Sequence, residues 1–107
     1  MAAKVAADGF TFTRQACTTP TTTSVADTAS STTLLAANAD RAGATIANDS
    51  TAVLYLLLGS GTASATNYTV RMVQHAYYEV PFGYTGTITG IWASDPGDGA
   101  ARVTEIS

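Results

Sequence analysis

Charge is scarce in this sequence. Of its 107 residues only 12% are Asp, Glu, Lys or Arg, with one Lys and two Glu, about half the usual share. A net charge of -3 argues against a nucleic-acid binder, which would show a basic face. The single cysteine, Cys17, excludes an intrachain disulfide, and with one histidine, His75, there are too few soft ligands for a closed zinc site. The longest strongly apolar run, Ala52 to Leu58, falls far short of the ~20 residues of a membrane helix. The opening MAAKVAADGF lacks the apolar centre of a secretory signal, so synthesis in the cytoplasm is the expectation. No window of a dozen residues carries a helical apolar stripe, and Thr, which loses side-chain freedom in a helix, occurs 19 times.

What is present is β signal. Short β-branched or aromatic runs recur between clusters of Gly, Asn, Asp, Ser and Pro. They predict strands at about 21–26, 31–36, 43–48, 52–58, 68–74, 76–80, 85–93 and 101–106. One turn is expected around Asn38-Ala39-Asp40-Arg41, and another at Asn48-Asp49-Ser50-Thr51, where side chains can cap the backbone. Gly59 to Ser64 reads as a surface loop and Gln74-His75 as a reversal. Pro81-Phe82-Gly83 reads as a strand break, and Asp95-Pro96-Gly97-Asp98-Gly99 is the strongest turn. Seven or eight short strands without crossover helices imply an all-β, antiparallel β-sandwich, jelly-roll or Ig-like. The domain reading is an extended N-terminal arm over residues 1–20 and a sandwich over 21–107. Phe10 and Phe12 on the arm share one face of an extended segment. They are expected to belong to a strand that completes the sheet, or else to peg a neighbouring subunit.

Chemistry is thinly represented. His75 sits in a turn with no nucleophile pointing at it, and Cys17 has no CxxC partner. Asp95 and Asp98 lack the alternating oxygen ligands and closing Glu of a calcium loop, and their turn role accounts for them. Gly59-Ser60-Gly61 leads to neither a Lys nor a helix start, so it is no phosphate loop. The expectation is a non-enzyme without cofactor or metal.

The apolar pattern is more informative. In Val53 to Leu58 both alternating sets are apolar, which implies that the outer face is covered by the arm, a loop or another subunit. Tyr68, Val70 and Met72 alternate with Thr69 and Arg71, and Tyr77 and Tyr78 fall on opposite faces, so one reaches the surface. Ile88 and Trp92 share a face with Gly86 and Gly90, small positions over which a ring can lie. An outward Tyr, Trp and Arg set has the composition of an interface core, and equally of a sugar-stacking platform. Low charge removes the repulsion that keeps proteins monomeric. The residues expected at an interface are Phe10, Phe12, Arg41, Tyr55, Arg71, Tyr78 and Trp92, with the two arginines as charged contacts and Tyr55, Tyr78 and Trp92 as apolar anchors.

Two segments carry a family likeness: LLAANADRAGATIANDSTAVLYLLLGSGTAS (Leu34 to Ser64) and YYEVPFGYTGTITGIWASDPGDGAARVTE (Tyr77 to Glu105). Their steps are Asn38/Arg41, then Ile46/Asn48/Ser50 leading into an apolar strand. Glu79 follows, then Tyr84-Thr85-Gly86, Ile91-Trp92-Ala93 and the closing Ala101 to Glu105. From about Thr33 onward the chain resembles small bacteriophage virion proteins, the capsid decoration (cement) and head–tail accessory proteins. The resemblance implies an oligomeric β-sandwich on the capsid surface, with the major capsid protein as partner and self-association as a trimer before a dimer. Nucleic acid and membrane are not expected partners. A tail, neck or baseplate component, or a carbohydrate-binding module on the virion, is the alternative.

Overall fold

The computed structural model describes residues 19–107, and, of the segment before them, the backbone of two short strands, β1 (Lys4–Val5) and β2 (Thr11–Phe12). These two pair antiparallel as a separate ribbon. Phe12 therefore belongs to a strand of that ribbon and not to one completing a sandwich sheet; Phe10 and Cys17 lie outside the described residues.

Eight strands follow: β3 (Pro20–Ala26), β4 (Thr32–Leu35), β5 (Gly43–Asp49), β6 (Leu54–Leu58), β7 (Val70–Met72), β8 (Tyr77–Glu79), β9 (Ile88–Trp92) and β10 (Ala100–Ile106). Each expected strand is present, its ends shifted by three residues at most. They form two four-stranded antiparallel sheets, a front sheet β3-β10-β5-β8 and a back sheet β4-β9-β6-β7. In chain order the front sheet takes the first, eighth, third and sixth sandwich strands, and the back sheet the second, seventh, fourth and fifth. That connectivity is a jelly roll, which decides between the two sandwich types expected. Among the described residues there is no helix, and hence none long and apolar enough to cross a membrane.

The core follows the strand period of two. From the front sheet Ala44, Ile46, Ala101 and Val103 point inward; from the back sheet Leu54, Leu56, Met72, Ile88 and Trp92 do so. In β4 both Leu34 and Leu35 are buried, because the register with β9 shifts between Thr33 and Leu35. Such a bulge turns two consecutive side chains the same way. The core closes over Gly90: a Cβ there would stand 2.9 Å from Leu34 Cδ1 and 3.0 Å from Leu54 Cδ1, so these side chains would have to shift. The ring expected over these glycines lies at Gly86 instead, where Tyr84 covers the backbone.

The doubly apolar strand β6 is explained by a loop of the same chain. Loop 59–69 covers the outer face of the back sheet. Thr89 Oγ1 donates to Gly61 O at 3.2 Å, Ala63 is 1% exposed, and Leu57 lies under Gly61. The Tyr68 ring tilts against Tyr55 with centroids 5.1 Å apart. Tyr68 thus leaves the alternation expected of it: it precedes β7 and lies with Tyr55 on the outer face, not beside Met72 in the core. Tyr77 and Tyr78 do split as expected, the first exposed and the second packed on the core.

Candidate functional site

The surface feature that stands out begins with a turn. Val80 is buried and donates its N–H to Ala44 O at 2.9 Å, holding the end of β8 against β5. Pro81 then stops the ladder, and Tyr84 N donates to Pro81 O at 3.1 Å to close a turn. Gly83, at φ 86°, takes the left-handed third position that such a turn assigns to glycine. Phe82 is left at the tip, 88% exposed. Beside it runs a cleft of about 150 Å³, lined by Ala42, Gly43, Ala44, Ile106 and Phe82, with Glu79 its only ionisable lining residue among the described residues. A mostly exposed phenylalanine next to such a slot, with exposed Tyr77 in the adjoining strand, is suited to exchanging apolar side chains with a partner.

The residues expected at an interface separate into groups. Arg71 is exposed on the outer face of the back sheet, beside half-buried Tyr55 in the register, and Tyr78 is half-buried against the core. Two others are interior, which corrects their expected outward role. Trp92 is 1% exposed and its Nε1 donates to Asn48 Oδ1 at 3.0 Å, so its ring is unavailable to a partner or a sugar. Arg41 is 2% exposed. Its Nε donates to Glu105 Oε2 at 2.8 Å, its Nη1 to Gly86 O at 2.9 Å and Tyr84 O at 3.2 Å, and its Nη2 to Ala36 O at 2.7 Å. Four of the five guanidinium N–H donors are thereby committed inside the chain, and burial keeps the side chain from a neighbour.

Phe82 itself enters the sequence reading only as part of a strand break. The usable signal was an aromatic residue between Pro and Gly, since a turn tip is the place where its burial is least achievable.

The other polar constellations stabilise loops. Asp27, buried, accepts from Ser50 Oγ at 2.8 Å and from Gly99 N at 3.2 Å. Asp98 accepts from Thr51 Oγ1 at 2.6 Å, and more weakly from Thr51 N and Ser50 Oγ. The turn reading of Asp98 therefore acquires a definite partner, the β5–β6 turn. Donation from the Thr51 hydroxyl, foremost, holds the Asp98 carboxyl below its ordinary value, with burial opposing. Because the folded-state value is depressed, its contribution to stability is complete above the unfolded value near 3.8 and is lost as pH falls through the folded one. Asp98→Asn is therefore expected to be less stable than the native chain at pH 7, the gap closing below about pH 4; urea titrations at the two pH values check this. Among the described residues no group of three His, Cys, Asp or Glu side chains could hold a metal ion. His75 is exposed in its turn at φ 69°.

Comparison with protein-family models, curated proteins and solved structures finds no match to this chain.

Proposed function

We propose that the chain is a non-enzymatic structural protein of a bacteriophage virion: a capsid decoration protein that binds the outer head surface and stabilises the shell by bridging major capsid protein subunits. The observation that carries the reading is Phe82, presented 88% exposed at a turn tip beside an apolar cleft. An exposed apolar side chain standing alone is ordinary; Phe82 instead adjoins a cleft that Ile106 and Ala42 to Ala44 also line, and contiguous exposed apolar surface of this kind marks interaction sites. The sparse charge of the chain supports the same reading. Jelly rolls recur in viral capsid domains, and also in lectins, so the fold is an analogy here and not an argument. Stabilisation is additive: each copy buries apolar area on the lattice at roughly 25 cal/mol per Å², less the cost of association and ordering.

The test is binding of the chain to shells assembled from the major capsid protein. Burial of a phenylalanine contributes about 1.5–3 kcal/mol. Phe82→Ser is thus expected to weaken binding roughly tenfold to a hundredfold while leaving the unfolding midpoint within a few degrees of native. Native-like binding by Phe82→Ser overturns the assignment of this surface. A chain that is absent from the shell but present at one vertex belongs to the neck or tail.

A further inference from the structure

Strand β3 is a free edge of the front sheet, and the hydrogen bonds fix what that edge offers. Thr19 N donates to Ser107 O and Ser107 N to Thr19 O, and further along Asp27 N donates to Gly99 O. These are narrow antiparallel pairs, which recur at every second residue, so Thr21, Thr23 and Val25 also bond to β10 in the observed register. The alternate residues turn their backbone groups away. The outward N–H groups are those of Thr22, Ser24 and Ala26, and the outward carbonyls are theirs and that of Pro20. Among the described residues, none of these outward groups has a backbone partner.

The other three sheet edges are protected in the ways that sheet proteins use against pairing. The β4 edge has four residues broken by a bulge. The β7 edge has three residues with Arg71 at its centre. The β8 edge has three residues ending at Glu79, with Pro81 just beyond. The β3 edge has seven residues, PTTTSVA, all uncharged, with Pro20 only at its start. Nor does the back sheet obstruct it: Thr21 and Thr23, which point toward that side, are exposed.

We infer that β3 pairs antiparallel with β3 of a second copy of this chain across a two-fold axis, joining two front sheets into one of eight strands. The strand is its own complement. With Ser24 on the axis, Ser24 faces Ser24 and Thr22 faces Ala26, three narrow pairs of two bonds each, every side chain small and neutral. Among the described residues the cation beside this strand, Arg102, is already paired with Asp49 at 2.9 Å and donates to Ser24 Oγ, so none of them brings an unpaired charge to the axis. The contact is isologous and closed, and it selects the dimer over the trimer expected first. It stands independently of the phage reading.

Sedimentation equilibrium of the full chain tests it. The native chain is expected at the dimer mass, and Ser24→Pro, which removes an outward N–H without touching the β10 ladder, at half that mass with an unchanged far-UV circular dichroism spectrum. A monomeric native chain, or a dimeric Ser24→Pro, overturns the pairing. Should Ser24→Pro fail to fold, Ser24→Cys in a Cys17→Ser background decides. Facing Cα atoms of a narrow pair lie about 5.5 Å apart, within disulfide span, so oxidation is expected to yield a covalent dimer there and none for Thr45→Cys in mid-sheet. No cross-link at position 24, or an equal yield at both positions, sinks the proposal.

Discussion

Replacing Asn48 by Leu is expected to lower the unfolding free energy by about 3–5 kcal/mol, or roughly 15–30 °C in Tm for a domain of this size. The size of the effect comes from how many groups depend on one amide. Asn48 is wholly buried. Its Nδ2 donates to Ala52 O and Met72 O, both at 2.9 Å, and its Oδ1 accepts from Trp92 Nε1. One polar side chain on the front sheet thereby pins the segment leading into β6, the end of β7 and the indole of β9, the last two belonging to the back sheet. Leucine has a similar volume, so a cavity is not the main cost; the cost is an indole N–H and the Ala52 carbonyl left dry without the amide that pairs with them, and the Met72 carbonyl, which faces Leu54 in the ladder, left without its second donor. Trp92→Phe removes only one bond and some volume, with an expected loss of about 1.5–3 kcal/mol. The double variant should lose less than the sum, since the two residues share a contact. Denaturant unfolding of the four proteins measures all three values. A loss below about 1 kcal/mol for Asn48→Leu would show that the network is not a main support of the sandwich.

Arg41→Met is the second large effect, again about 3–5 kcal/mol, because it leaves a partly buried Glu105 without its partner and three main-chain carbonyls without their donor. The Arg41 side chain is 0% exposed and that of Glu105 19%, so water restores little. Arg41→Lys is expected to recover only a minor part: an ammonium cannot span a carboxylate and the carbonyls of Ala36, Tyr84 and Gly86 as the guanidinium fork does. The contrast is Arg102, whose bridge to Asp49 is half exposed at both ends. Arg102→Met should cost less than about 1 kcal/mol. Equal losses for Arg41→Met and Arg102→Met, in the same thermal unfolding experiment, would contradict the claim that burial separates them.

These two sites also mark where the sequence is legible and where it is not. The strands are legible because a jelly roll is made of short β-branched runs cut by Pro, Gly, Asn and Asp, and each cut, such as Asn38 to Arg41 or Gln74-His75, is a local event. The partner of a polar residue is not local. Asn48 invites a turn reading, because Asn-Asp-Ser-Thr is turn chemistry, and its amide does reach Ala52 four residues on. Yet its parity with Ala44 and Ile46 already placed it inward, where it had to find a donor such as Trp92, 44 positions away. Likewise Glu105 shares the inward parity of Ala101 and Val103, which calls for a buried cation. That cation, Arg41, is 64 positions distant, and only the closure of the sandwich identifies it. The rule that Trp and Arg favour interfaces fails at Trp92 and Arg41 for the same reason: in a chain with few polar residues, the core itself recruits them. Phe82 is the converse case, an aromatic residue that a tight turn denies any burial. The doubly apolar β6 called for a cover, and loop 59–69 supplies it without a second subunit.

If the work of this protein is to cover a shell, its copy number and position in purified virions, seen by cryo-electron microscopy with icosahedral averaging, decide the matter. Ordered density for this chain is expected at every local two-fold or three-fold of the capsid lattice, with Phe82 and its neighbouring cleft turned to the major capsid protein. A capsid surface without such density, or density confined to one vertex or the tail, would contradict that role.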